Sequence, residues 1–218
     1  MNIAFIPVRG GSKSIPLKNI KEIAGHPLVY YTAKAADDCK DIDVVYVATD
    51  SDIIKETVEG FGLKKVKVIG RSAQNASDTA STESAMLEFA NEYEFDTICL
   101  IQATSPLLKA EDLEGGFAKF QEADSVLSVV RQKRFVWEEN EDGSVSPVNY
   151  DVYNRPRRQE FDGYLVENGA FYITSKKSLL ESGNRVSGKI ACYEMSEYTY
   201  FEIDEPSDWE ITEKRLLM

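Results

Sequence analysis

The sequence predicts an α/β fold: a mostly parallel, twisted sheet with helices on both faces. Two observations predict it. Apolar runs too short for helices alternate with segments whose apolar residues recur at helical spacing. Strands that alternate with helices imply right-handed crossovers, and these lay helices over both faces of a parallel sheet. In such a sheet ligands sit beyond the carboxyl ends of the strands, so the loops leaving the first and fourth strands should face one crevice.

The elements follow in order. Residues 3–8 are an apolar run of buried-strand length, and a helix opens at His26-Pro27 and runs to about 37, with Leu28, Tyr31 and Ala35 at helical spacing. A second strand over 43–49 carries Val44, Val45 and Val47, followed by a helix over 51–60 and a short third strand over 66–69. Residues 83–93 put Met86, Phe89, Ala90 and Tyr93 on one helical face. A fourth strand over 97–101 leads into Gln102-Ala-Thr-Ser-Pro106, then come a helix over 113–121 and a fifth strand over 125–130. From 132 to 164 the alternation stops. Charge and aromatic residues (Phe135, Trp137, Tyr150, Tyr153) fill that stretch, which reads as a projecting hairpin or arm, since a loose loop seldom carries so many unburied rings. Beyond it the pattern gives a strand over 164–174, a short helix over 175–181, strands over 189–193 and 198–203, and a last helix with Pro206 at an early position.

Composition narrows the function. A chain of 218 residues with 43% hydrophobic and 28% charged residues is of ordinary globular make-up and is read as one domain, 1–218, with 132–164 inserted as the arm. No window is apolar enough to cross a bilayer and no signal peptide opens the chain, so a cytoplasmic protein without a membrane partner is expected. Cys39, Cys99 and Cys192 form no CxxC, which fits a reduced compartment. A net charge of −12 argues against nucleic acid as partner. An acidic protein that binds an anion must gather its cations locally. Arg9, Lys13, Lys18 and Arg71 form one such group, and Arg155, Arg157 and Arg158 another. His26 is the only histidine, which nearly excludes a His-based triad or a two-histidine metal site.

The stretch Arg9-Gly-Gly-Ser-Lys13 leaves a buried strand as a flexible cationic loop, a layout in which backbone N–H groups surround a phosphate while side chains neutralise it. Neither GxxxxGK[ST] nor GxGxxG can be drawn through it, so on the glycines alone a surface turn is the better reading. Glu202-Ile203-Asp204 offers two carboxylates, the oxygen ligands that magnesium takes in small number beside substrate phosphates and water. By spacing alone the acidic start of the helix after Pro206 is the better reading. The Ser/Thr/Asp-rich loop over 71–82 reads as turn and capping chemistry, and Gln102 as a loop amide.

Taken together, Arg9 to Lys13 with Ile15-Pro-Leu-Lys-Asn19, residues 71–82, 102–106, 157–159, 168–172 and 202–208 resemble the CMP-sialic acid synthetase (acylneuraminate or nonulosonate cytidylyltransferase) family across almost the full chain. The resemblance implies a Rossmann-like nucleotidyltransferase fold with a small dimerisation arm, hence a homodimer. It implies transfer of CMP from CTP to the anomeric hydroxyl of a nine-carbon keto-sugar acid (N-acylneuraminate, legionaminate, pseudaminate or KDN), with pyrophosphate released and Mg2+ as cofactor. Carried over position by position, it implies nucleotide contacts at Arg9, Gly10, Ser12, Lys13, Lys18, Asn19, Arg71, Ala80 and Thr82. Sugar contacts are implied at Gln102, Ser105, Arg157, Gln159, Asn168 and Tyr172, metal ligation at Glu202 and Asp204, and catalytic roles for Arg9, Lys18 and Asp204. Two departures stand out. The family pair is Asp-x-Asp and here begins with Glu202, and Val166 and Glu167 supply no cation before the sugar strand. A non-catalytic binding protein of the same fold, or the same chemistry on the eight-carbon acid Kdo, remain the alternatives.

Overall fold

The computed structural model describes residues 1–218 apart from Lys13 and Asp78. Its strands are β1 (Asn2–Pro7), β2 (Glu22–Ile23), β3 (His26–Pro27), β4 (Val44–Thr49), β5 (Val66–Gly70), β6 (Thr97–Ile101), β7 (Ser125–Gln132), β8 (Trp137–Glu139), β9 (Val145–Pro147), β10 (Tyr164–Ser175) and β11 (Ile190–Met195). Its helices are α1 (Leu28–Asp38), α2 (Asp52–Glu59), α3 (Thr82–Glu92), α4 (Ala110–Phe120), α5 (Lys176–Ser182) and α6 (Pro206–Leu216). A seven-stranded sheet runs β11-β7-β10-β6-β1-β4-β5. Every neighbouring pair in it is parallel except those of β10, which runs antiparallel to both β6 and β7. The expected mostly parallel sheet is what forms.

Alternation along the strands builds both faces. Ala4 and Ile6 of β1 point into a core with α1, α2 and α4 (Val29, Ala33, Ile54, Val58, Leu113, Phe117). Ile3 and Phe5 point the other way, into a core with α3 and α5 (Met86, Phe89, Leu179). A third, smaller cluster matters most for function. Ile15, Ile23, Leu28, Ile203 and Trp209 pack together, so the loop after β1 is anchored on the segment before α6.

The expected strand over 198–203 does not form. Glu197–Thr199 is a 3-10 turn, and the residues after it are irregular. Ser196 Oγ accepts from the Tyr198 N–H, and the Thr199 N–H bonds to the Ser196 carbonyl, local chemistry that competes with a ladder. Tyr198 and Phe201, whose bulk read as strand, instead stack on the Arg215 guanidinium of α6. His26-Pro27 pairs with β2, and the helix begins one residue later. The arm contains the β8–β9 hairpin, and the Phe135 ring packs at a tilt against Tyr150 and Phe161 with Arg155 over it.

Gly116 of α4 faces the sheet, and a Cβ there would stand 2.5 Å from the buried Phe171 ring. Gly116→Ala therefore destabilises the protein by about 1–3 kcal/mol through overpacking, although alanine is the better helix former by about 1 kcal/mol. Urea unfolding at constant m-value checks this, and a stabilised variant would contradict it.

Candidate functional site

β1, β4, β5 and β6 are parallel, so their carboxyl ends share one edge, and the loops leaving them are tied to one another there. The Gly10 N–H donates to Asp50 Oδ1 (2.9 Å) at the end of β4. Arg9 Nη1 donates to the Ser77 carbonyl (3.2 Å) in the loop after β5. Asn19 is buried, and its Nδ2 donates to the Arg9 carbonyl (3.1 Å), closing the loop on itself, while the Ser12 N–H bonds to the Gly10 carbonyl (3.3 Å). Arg71 follows β5, with Asp50 and Arg9 both within its electrostatic reach. Burial pushes its guanidinium below the usual value, against the pull of Asp50. Its Nε is buried with no hydrogen-bond partner among the described residues, a donor left over in a site that would hold an anion. The Ala80 N–H bonds to the Ser77 carbonyl, and Thr82 opens α3 behind Ser81, whose Oγ accepts from the Ser84 N–H (3.1 Å). Lys13 lies outside the described residues.

The carboxylate pair stands opposite that loop. Lys18 Nζ donates to the Ile203 carbonyl (2.7 Å) and lies 3.4 Å from Asp204 Oδ1, with only 12% of its side chain exposed. The Ile203 N–H bonds to the Thr104 carbonyl (2.9 Å), fixing the same segment to the loop after β6. The helix-capping alternative has a definite answer. Asp208 Oδ2 accepts the backbone N–H groups of Asp204 (3.1 Å) and Glu205 (2.8 Å), which leaves the Asp204 side chain out of the cap. Glu202 lies over Gly169, whose φ is +64° and whose Cβ, were there one, would overlap the Glu202 carboxylate. Burial pushes the Glu202 carboxyl up to about 7, Asp204 and Glu167 add to the rise, and Lys18 opposes it. Two carboxyls this close, one of them poorly hydrated, are chemistry that a hard divalent cation with oxygen ligands fits. Among the described residues no group of three His, Cys, Asp or Glu side chains could hold a metal. The pair therefore needs substrate oxygens and water to complete a coordination shell.

Because β10 runs antiparallel, its first half arrives at the same edge. Asn168 is buried, its Nδ2 donating to Thr199 Oγ1 (3.2 Å) while its Oδ1 has no partner among the described residues. Tyr172 donates to Glu167 Oε2 (2.8 Å). The Gln102 N–H bonds to the Ala170 carbonyl (3.2 Å), and the buried Ser105 Oγ has no partner among the described residues. Arg157 and Gln159 are not drawn into this cluster. Both are exposed on the arm, where Arg157 bonds through its backbone to Glu160. Sequence reasoning missed Asp50, and it missed the Glu83–Arg185 ion pair (2.5 Å) beside Tyr172. Asp50 had one available cue, its place at the carboxyl end of a predicted strand. Arg185 had none.

The raised Glu202 carboxyl carries a sign. The metal-free folded protein keeps a proton that the unfolded chain releases above its ordinary value near 4.5, so stability falls as pH rises from there through about 7. Glu202→Gln removes that loss. Thermal melts in chelator should show the variant gaining about 1–2 kcal/mol on the wild type between pH 5 and pH 8. Parallel profiles would contradict the assigned environment.

The chain is similar to known proteins over nearly its full length. The chain is 43% identical over 220 residues to N-acylneuraminate cytidylyltransferase B of Danio rerio, covering 98% of this chain and 51% of that protein. It is 44% identical over 220 residues to N-acylneuraminate cytidylyltransferase of Oncorhynchus mykiss, covering 98% and 50%. The chain thus spans about half the length of the curated relatives it matches. Among solved structures it is similar to a CMP:2-keto-3-deoxy-manno-octonic acid synthetase complexed with CTP, with a TM-score of 0.76 and 20% identity over 99% of this chain and 98% of that one, a likeness of fold. The family model described as Cytidylyltransferase matches residues 3–216, and the chain belongs to that family.

Proposed function

We propose that this protein transfers CMP from CTP to the anomeric hydroxyl of a nine-carbon keto-sugar acid, releasing pyrophosphate and forming the CMP-sugar. The observation that carries the reading is Lys18, whose ammonium bridges the cationic loop after β1 to the segment bearing Glu202 and Asp204. A triphosphate lying along that loop would have cations on one side and the acid pair on the other. The similarity to N-acylneuraminate cytidylyltransferases over 98% of the chain favours an N-acylneuraminate or close relative as acceptor.

In the reaction the anomeric oxygen attacks the α-phosphorus and forms the new P–O bond. The bond from that phosphorus to the oxygen bridging to the β-phosphorus breaks, and its electron pair leaves with pyrophosphate. The hydroxyl proton passes to solvent. Catalysis of this kind rests on positioning and charge neutralisation. Arg9, Ser12 and Lys13 would hold the triphosphate with the Gly10 backbone, Asn19 would fix the loop, and Lys18 would stabilise charge on the departing pyrophosphate. Arg71, Ala80 and Thr82 would line the nucleoside. Gln102, Ser105, Asn168 and Tyr172 would line the acceptor, with Arg157 and Gln159 reaching it from the arm. Asp204 and Glu202 would hold magnesium, which when bound neutralises phosphate oxygens.

The arm leaves Tyr153 98% and Trp137 46% exposed, surface that a second copy of the chain would cover, and we propose a homodimer on that basis. Cys39, Cys99 and Cys192 are free thiols, in keeping with a cytoplasmic setting.

The test is pyrophosphate release measured over the four nucleotides, with magnesium or chelator, against a panel of nonulosonic acids and Kdo. Release that needs CTP, metal and a nonulosonic acid is expected; CTP binding without release from any pair would favour a binding protein instead. Asp204→Ala should lose turnover by about 100-fold or more with the melting temperature within a few degrees of wild type, because its carboxylate makes no cap. Near-normal turnover would remove Asp204 from the metal site.

A further inference from the structure

Beside Tyr172 lie three charged residues, Glu83, Arg185 and Glu167, that the reading above leaves unused. Glu83 sits in the first turn of α3, directly after Thr82 and the polar loop that would line the nucleoside. Its carboxylate pairs with Arg185, which reaches it from 102 residues further along the chain, between α5 and β11. Neither side chain is more than 23% exposed, so the pair is largely withdrawn from water. The same guanidinium lies 5.0 Å from the centre of the Tyr172 ring on β10. Tyr172 is buried, and its hydroxyl donates to Glu167 Oε2 (2.8 Å). Between Glu167 and Tyr172 the register of β10 against β7 shifts, and Asn168 and the left-handed Gly169 that receives Glu202 lie in that interval.

These contacts form one continuous chain: Glu83, Arg185, Tyr172, Glu167. It starts where the nucleoside loop ends and finishes at the irregular stretch of β10 that carries Asn168 and Gly169. The interval is itself tied down, by Asn168 on Thr199, by the Gln102 N–H on the Ala170 carbonyl and by the Phe171 N–H on Ser128 Oγ, and its conformation is a defined feature of the strand. Here Arg185 supplies a flat cation against the Tyr172 face, and the Tyr172 hydroxyl fixes Glu167 at the other end. Burial and the Glu167 carboxylate both push the Tyr172 phenol well above its ordinary value, so the hydroxyl remains a donor throughout the working pH range.

We propose that the Glu83–Arg185 pair is a positioning strut for the acceptor: it clamps Tyr172 and, through Glu167, sets the Asn168–Gly169 stretch on which a hydroxyl-rich sugar acid is aligned. This rests on the cytidylyltransferase reading above. Arg185 and Glu83 act through Tyr172 and need not touch either substrate. Loosening the strut should weaken use of the acceptor and leave the nucleotide half of the site as it was, because the Arg9, Asn19 and Asp50 bonds that shape that half do not pass through it.

The experiment is steady-state pyrophosphate release with the full chain, CTP, magnesium and N-acetylneuraminate, each substrate varied in turn, for wild type, Arg185→Met, Arg185→Lys, Glu83→Gln and Tyr172→Phe. Arg185→Met and Tyr172→Phe should raise the acceptor KM about 10-fold while the KM for CTP stays within about 2-fold. Glu83→Gln should give a smaller rise in the same direction, and Arg185→Lys, which keeps a cation over the ring, should recover most of the loss. Equal rises in both KM values, or a lowered melting temperature with both KM values unchanged, would overturn the strut. If Arg185→Met does not fold, Glu83→Gln, which removes one charge of the pair at a residue that touches neither substrate, decides the matter by the same criterion. Wild type that turns over no sugar acid would sink the functional reading and this proposal with it, an outcome distinct from an active wild type whose variants behave alike.

Discussion

The hydrogen bond from Lys18 Nζ to the Ile203 carbonyl joins residues 185 apart in sequence, and the site depends on it. A loop that leaves a parallel strand with two glycines and several cations has no reason of its own to hold one shape. Three constraints give it one. Ile15 packs on Ile203 and Trp209, Asn19 closes the loop on the Arg9 carbonyl, and Lys18 ties its far end to the segment that carries Glu202 and Asp204. The Ile203 N–H bonds in turn to Thr104, so the loops after β1 and β6 and the approach to α6 share a single short piece of backbone. The loop after β1 and an acid pair from opposite ends of the chain are thereby held against one another by bonds within the protein itself, the kind of preorganisation that electrostatic catalysis requires.

Charge is distributed to the same end. A chain with a net charge of −12 repels anions over most of its surface. Arg9, Lys18 and Arg71 are gathered at one edge of the sheet, and Arg71 is kept there at the expense of burial, with Asp50 as partial compensation. The acid pair is the counterpart. Glu202 is pushed toward the neutral form by burial and by Asp204, so the metal-free site limits its own negative charge. Asp208 takes over the capping of α6, and a side chain that helix geometry would otherwise have claimed is left exposed beside Lys18.

The fold was legible because its signal is local. Apolar runs such as 3–8, 43–49 and 97–101 are continuous, as strands covered on both faces must be, and the helices between them carry their apolar residues at the right spacing. The 198–203 stretch misleads for the same reason: Tyr198, Tyr200 and Phe201 are strand formers by composition, yet their rings are spent on Arg215 and on each other, and Ser196 turns the backbone first. Of the site, the loop after β1 and the acid pair stand out in the sequence because each is contiguous, but the roles given to them come from the resemblance, since alone each reads as a turn or a helix start. Asp50 offered only its place after a strand, and Glu83 and Arg185 offered nothing, since each acts through a contact made across 40 residues or more. Arg157 and Gln159 were legible only by resemblance, and in the single chain they stand exposed on the arm.

The most direct test of the central claim, that a nucleotide triphosphate lies between the loop after β1 and the Glu202–Asp204 segment, is an electron-density map of the protein crystallised with CTP and magnesium. The account predicts phosphate density against the Gly10 backbone and Lys18, and metal density at Asp204. Phosphates bound at another edge of the sheet, or an ordered CTP with Asp204 remote from it, would contradict it.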